Sequence, residues 1–423
     1  MQLQTLAMVI VDLAIIAVLA SLLGALARRL GQPAVIGEIL AGILLGPTLF
    51  DGAISTRLYP ADVISSLTAV STIGVCAFMF LVGLEFDREL VRGQGRITIT
   101  VSVSAMVVPL LLGALLGLYL SSTHASGDRL TFVLFIGVAM SVTAFPVLAR
   151  ILTDQGLIRT PIGGVALACA AAGDVLAWSL LAVVVALAGT GGDHWRILLI
   201  VPYAATMHWV VRPLLARLAT EPARRLTGPA LVVAVLIGLT LSAYATDWMG
   251  LHSIFGAFLF GVVMPRVHVV PVYEQAIRWL RRICAILLLP VFFAVSGRQV
   301  NLSALDTSAL GDLGLILLVA IGGKLGGAFL GARITGVRSR HAAVLAILLD
   351  TRGLTELIVL SVGLQLGLLD PRLFSLMVVM AVVTTAMTGV LLRVVYPPRR
   401  IKGDTESAQT DGPWNVSRPA IPT

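Results

Sequence analysis

Apolar runs of about twenty residues recur along this chain from one end to the other, and that repetition leaves few folds open. The stretch Ala166-Leu-Ala-Cys-Ala-Ala-Ala-Gly-Asp-Val-Leu-Ala-Trp-Ser-Leu-Leu-Ala-Val-Val-Val-Ala-Leu187 is one example, long enough as a helix to cross a bilayer. Only 12% of the 423 residues are charged, about half the share in a soluble domain, and 58% are hydrophobic. The reading is an all-α polytopic membrane protein. Thirteen apolar segments are expected, at approximately Met8–Ala27, Ala34–Leu49, Val63–Leu84, Ile97–Leu120, Leu130–Leu152, Pro161–Ala188, Ile197–Leu218, Pro229–Tyr244, Gly250–Pro265, Ala276–Val295, Gly311–Thr335, Ala342–Leu366 and Leu373–Val395.

Arginine placement tests that count. The loops after odd-numbered segments, with the segment ends beside them, hold clusters such as Arg28 and Arg29; Arg88, Arg92 and Arg96; Arg212, Arg217, Arg224 and Arg225; and Arg393, Arg399, Arg400 and Lys402. The loops after even-numbered segments hold only Arg57, Arg129, Arg196, Arg298 and Arg372. The positive-inside rule puts the odd side in the cytoplasm, the N-terminus outside and the C-terminus inside, in a cell membrane. The net charge of +8 is therefore accounted for by topology and needs no nucleic-acid partner. The three cysteines, Cys76, Cys169 and Cys284, fall within apolar segments at no paired spacing, so neither a disulfide framework nor a metal site is expected. Nothing marks the first apolar run as a cleaved signal, and it is expected to be retained. Residues 1–397 form the membrane domain. The polar, aperiodic 398–423 reads as a disordered cytoplasmic tail.

A few charges stay at membrane depth: Glu38, Asp174, Lys324, Asp350, Arg352 and Glu356. Asp174 sits near the middle of its run with no basic residue within a helical turn. A charge there costs at least about 2.5–3.5 kcal/mol, so its default reading is an ion or proton site. Lys324 is one of two lysines in a chain that otherwise uses arginine, as if chosen for its ability to lose a proton. Each has a plainer alternative. Glu38 could bond neighbouring backbone, Arg352 and Glu356 stand four apart and could pair, Asp350 could cap the helix after it, and Lys324 could be a fixed counter-charge. His208 and His252 have no nucleophile or metal partner in the sequence, and neither an enzyme nor a resident cofactor is expected.

Two segments carry helix interruptions: Met140-Ser-Val-Thr-Ala-Phe-Pro-Val-Leu-Ala-Arg150, around Pro146, and Leu349-Asp-Thr-Arg-Gly-Leu-Thr-Glu356, centred on Gly353. They occupy corresponding places in two halves of opposite orientation, the pattern of an inverted repeat with its site where broken helices meet.

The stretches Leu30-Gly-Gln-Pro-Ala-Val-Ile-Gly-Glu-Ile-Leu-Ala-Gly-Ile-Leu-Leu-Gly-Pro47, Phe80-Leu-Val-Gly-Leu-Glu85, Thr143-Ala-Phe-Pro-Val-Leu-Ala-Arg-Ile-Leu152, Ala172-Gly-Asp-Val-Leu-Ala-Trp178 and Asp350-Thr-Arg-Gly-Leu-Thr-Glu-Leu357 resemble the monovalent cation:proton antiporter-2 family, to about residue 397. The resemblance implies a thirteen-helix fold, a homodimer and elevator-like alternating access. Segments 4–6 and 11–13 would form a moving core, 1–3 and 8–10 a dimerisation scaffold, and 7 a linker. It puts the cation- and proton-binding carboxylate at Asp174, with Thr143 and the interrupted backbone around it, and the core lysine at Lys324. Many members carry a second polar or acidic residue where this chain has Gly173. The departure points to one carboxylate holding either a proton or Na⁺ or K⁺, and to electroneutral exchange. The alternatives are a Kef-type potassium efflux channel or uniporter, an organic-solute or drug exporter, and a transport-silent sensor. The sequence has no Gly-x-Gly-x-x-Gly module after the membrane part, which argues against ligand gating.

Overall fold

A computed structural model describes residues 3–48, 60–85, 95–124, 128–157, 160–188, 199–220, 228–265, 271–302 and 307–396. The expected tail at 398–423, and several of the loop arginines, lie outside them. Every regular element among the described residues is helical. In order these are α1 (Leu3–Arg29), α2 (Ala34–Leu44), α3 (Ala61–Glu85), α4 (Gly95–His124), α5 (Arg129–Ser141), α6 (Phe145–Asp154), α7 (Pro161–Ala188), α8 (Ile200–Thr206), α9 (Arg212–Thr220), α10 (Gly228–Trp248), α11 (Ser253–Val263), α12 (Pro271–Ile283), α13 (Leu289–Gly297), α14 (Thr307–Ile334), α15 (Ser339–Leu349), α16 (Leu354–Gln365) and α17 (Pro371–Val395). Short π-helical turns, Met207–Val211 and Cys284–Leu288, join α8 to α9 and α12 to α13 without a break.

Eight spans among the described residues are long and apolar enough to cross a membrane, and five shorter apolar helices accompany them. Large hydrophobic side chains are exposed along them, among them Val18, Leu22, Leu318 and Val394. A helix apolar all round is stable when its solvent is lipid or protein. The chain is a multi-pass membrane protein. The three cysteines are free.

The chain folds as two compact units, each drawn from separated stretches of sequence. The first comprises Met1–Ala25, Gly37–Asp87 and Leu181–Ser303. Within it Val9, Ile16, Leu45, Val63, Leu67, Val291 and Ala294 form one buried cluster, joining α1, α3 and α13. The second comprises Leu26–Ile36, Arg88–Leu180 and Ala304–Thr423. Here α4 packs against both α5 and α14. Glycines let α14 come close: a Cβ on Gly327 would lie 2.5 Å from the Ser104 carbonyl oxygen of α4, and Gly331, one turn on, faces the same helix. That close approach fixes the rotation of α14, and with it the direction of Lys324.

Candidate functional site

The second unit contains two interrupted helical segments, and backbone and side-chain bonds tie the interruptions together. α5 stops at Ser141; Val142, Thr143 and Ala144 are non-helical; α6 begins at Phe145. Pro146 therefore stands in the first turn of α6, downstream of the break. A proline is tolerated there because the amide it lacks would have had no intrahelical partner. Likewise α15 stops at Leu349 and α16 begins at Leu354. Gly353, with φ of 152°, occupies a conformation that favours glycine, and a Cβ there would lie 2.8 Å from Val147 Cγ2. The Ala144 amide donates to the Thr351 carbonyl at 3.0 Å, and Thr143 Oγ1 donates to the Leu349 carbonyl at 3.1 Å. Thr385 of α17 holds the second interruption: its hydroxyl donates to the Arg352 carbonyl and accepts from the Arg352 amide.

Interrupting helices exposes their ends, and the polar groups here answer those ends by charge. The last carbonyls of α5 form the negative end of a helix dipole. Arg352 donates to two of them, Nη1 to Ala139 at 3.1 Å and Nη2 to Met140 at 2.7 Å, while Lys324 Nζ donates to the third, Ser141. Arg352 also meets Glu356 at 3.0 Å, with both side chains fully buried. The pairing inferred from their spacing is present.

Asp174, on the part of α7 that belongs to this unit, is buried. The amide of Phe145, at the positive end of α6, faces its carboxylate, and Lys324 acts on it electrostatically. Neither of its oxygens has a hydrogen-bond partner among the described residues. Beside it, a Cβ on Gly173 would meet open space. Asp350 is equally enclosed, and both its oxygens also lack partners. The capping role open to it in the sequence is not realised: α16 has no side-chain cap, and Asp350 instead ends α15.

The structure thus gathers Thr143, Pro146, Lys324, Asp350, Arg352, Gly353 and Glu356 around the joined interruptions, with Asp174 facing the start of α6. Glu38 belongs to the first unit, where it is half-buried and bonded. Two features escaped the sequence reading. Asp12, also in the first unit, is buried on α1, and its Oδ2 has no partner among the described residues; it lies within the first apolar run and should have stood with the other acids at membrane depth. In the second unit, buried His124 at the end of α4 contacts Asp370 at 2.7 Å and Asp312 at 3.4 Å, a cluster assembled from residues far apart in the chain. Among the described residues no group of His, Cys, Asp or Glu side chains is placed to hold a resident metal ion.

Comparisons with known proteins agree with this architecture. Residues 14–396 match the family described as sodium/hydrogen exchanger, transmembrane. Over 408 residues the chain is 37% identical to the Na(+)/H(+) antiporter NhaS4 of Synechocystis sp., covering 94% of this chain and 99% of that protein. It is 36% identical over 413 residues to the cation/H(+) antiporter 20 of Arabidopsis thaliana, covering 93% of this chain and 49% of the relative. It is 34% identical over 406 residues to the K(+)/H(+) antiporter 1 of Saccharomyces cerevisiae, covering 90% and 45%. The chain therefore spans about half the length of the plant and yeast relatives. The solved structure of the sodium proton antiporter MjNhaP1 from Methanocaldococcus jannaschii at pH 8 shares the fold, with a TM-score of 0.63 over 94% of this chain and 99% of that one, at 15% identity. The family match and the relatives, together with the fold, mark a membrane transporter and not an enzyme. The chain belongs to the sodium/hydrogen exchanger family, and its resemblance to the cation/proton antiporters within that group holds along nearly its whole length.

Proposed function

We propose that this protein exchanges a monovalent cation, Na⁺ or K⁺, for H⁺ by alternating access, with Asp174 as the carboxylate for which the two compete. The observation that carries this reading is a buried carboxylate with no hydrogen-bond partner among the described residues, facing the positive end of α6 beside an interrupted backbone. An ionised carboxylate without compensation crosses low dielectric poorly. Only the loaded site moves, carrying either proton or cation, and the two fluxes are coupled. With Gly173 in place of a second polar side chain, one charge is exchanged for one, and the cycle is electroneutral. Thr143 supplies hydroxyl lone pairs near the interruption, its proton being committed to Leu349. The names of the Synechocystis, plant and yeast relatives support cation/proton exchange as the activity.

The second unit, which contains the interrupted helices, acts as the moving core, and the first as the scaffold of a homodimer; the division of the chain into these two units supports the assignment. Thirteen spans place the N-terminus outside and the C-terminus in the cytoplasm. Proteoliposomes loaded with a pH-sensitive dye test the central claim. The wild type should show pH changes on addition of Na⁺ or K⁺, and Asp174→Asn should show none. Normal exchange in that variant would end the assignment.

A further inference from the structure

Resting on the exchange reading above, we propose that Asp350 is the fixed counter-charge of Lys324, and that this pairing leaves Asp174 as the one group whose charge swings during the cycle. Among the described residues, five ionisable side chains lie buried around the interruptions: Lys324 and Arg352 as cations, Asp174, Asp350 and Glu356 as carboxylates. Arg352 and Glu356 neutralise one another at 3.0 Å. What is left is one lysine and two carboxylates, whose oxygens have no hydrogen-bond partner within bonding distance among the described residues.

Lys324 and the backbone flanking Asp350 are anchored on one short stretch, Ser141, Thr143 and Ala144. Lys324 donates to the carbonyl of Ser141, while the carbonyls of Leu349 and Thr351, on either side of Asp350, accept from Thr143 and Ala144. Asp350 is the carboxylate that acts most strongly on Lys324, and Lys324 acts on Asp350 in turn, second to Arg352, whose own charge is met by Glu356. A local structural reason for Asp350 is hard to find. It ends α15, where the helix dipole is negative and an acid is disfavoured, and its side chain caps nothing. A buried acid at the unfavourable end of a helix stays ionised only beside a cation, and Lys324 is the one that Glu356 does not already neutralise.

The charge count then follows from the cycle. With Asp350 and Lys324 opposed, the empty site carries the single negative charge of Asp174, and binding either H⁺ or a monovalent cation makes it neutral. Only loaded states cross, as coupled exchange requires. Without the Asp350 charge, Lys324 would neutralise Asp174 itself. The empty site would then be the neutral one and the loaded site positive, which weakens cation binding and lets the empty core return unloaded.

Three variants, Asp350→Asn, Lys324→Gln and the two combined, are compared with wild type in proteoliposomes, with and without valinomycin. Asp350→Asn should raise the cation KM by about tenfold or more, and its residual flux should become sensitive to valinomycin. The combined variant restores the original charge count, so its KM should fall back toward wild type and its flux should lose valinomycin sensitivity. A wild-type KM in Asp350→Asn would overturn the proposal, as would a combined variant no better than Asp350→Asn. Melting temperatures in detergent form a second arm that needs no transport. The two single substitutions should each destabilise, and the combination should cost less than their sum. Additive losses, or a combined variant that fails to fold, would also overturn the pairing. If the wild type shows no exchange but this coupling is found, the exchange reading falls and the pairing stands.

Discussion

Asp174 and Gly173 are neighbours in sequence with opposite surroundings: the aspartate is buried, whereas a side chain at 173 would enter open space. Gly173→Asp should therefore fold, and it adds a carboxylate beside the site without displacing a neighbour. Its extra negative charge should make exchange sensitive to membrane potential, read as acceleration or slowing by valinomycin-imposed gradients where the wild type shows neither. Arg352 is a second position where one residue decides much. It binds two α5 carbonyls and Glu356 while fully buried. Removing one partner of a buried pair strands the other charge, so Arg352→Met should cost about 3–5 kcal/mol, measured by denaturation in detergent. Arg352 is worth this much because it acts as counter-ion and helix cap together.

At the scale of elements, the half-helices explain why these polar side chains can lie at membrane depth. α5 ends on cations and α6 begins near a carboxylate, so the dipoles and the charges support each other. Gly353 allows the chain to turn from α15 into α16. Gly353→Ala should destabilise by about 1–3 kcal/mol, both from backbone strain and from the approach to Val147. α17 starts with a different device. Asp370 lies outside the spans; its carboxylate accepts from the Leu373 amide at 2.6 Å and contacts His124 at 2.7 Å. Burial pushes the Asp370 carboxyl up, but the bonds from His124 and Leu373 outweigh it and hold the group below its ordinary value. A depressed folded value stabilises the protein above the ordinary carboxylate range, and the contribution is lost as pH falls through the depressed one. Asp370→Ala should lower stability at neutral pH by about 0.5–2 kcal/mol, and the difference from wild type should shrink below about pH 4.

For the whole molecule, two units built from distant stretches of sequence keep Asp174, Lys324, Asp350, Arg352 and Glu356 together in the second. Membrane-embedded cross-linking should trap a homodimer, and a strictly monomeric product would remove the scaffold role proposed for the first unit. Much of this was open to sequence reading, for a physical reason. In a chain this apolar a buried charge is conspicuous, so Asp174, Lys324, Arg352 and Glu356 stood out, and arginine counting gave a topology to test. Asp12 was equally visible, since it lies inside the first apolar run. The cluster of His124, Asp312 and Asp370 gave no local signal, because its residues belong to three different helix ends far apart in the chain.

The sequence by itself determined the solvent, the helical class and the membership of the family, since lipid permits only self-satisfied backbone and leaves few places for a charge. Pairings were decided only in three dimensions. Spacing suggested the Arg352–Glu356 contact, but it could not show that Arg352 and Lys324 close the end of α5, that Asp350 caps nothing, or that Thr385 clasps the second interruption. Those contacts join residues 33 to 213 positions apart. Short-range patterns carry no information at that range, and only the packing of α4, α5 and α14 brings the groups together.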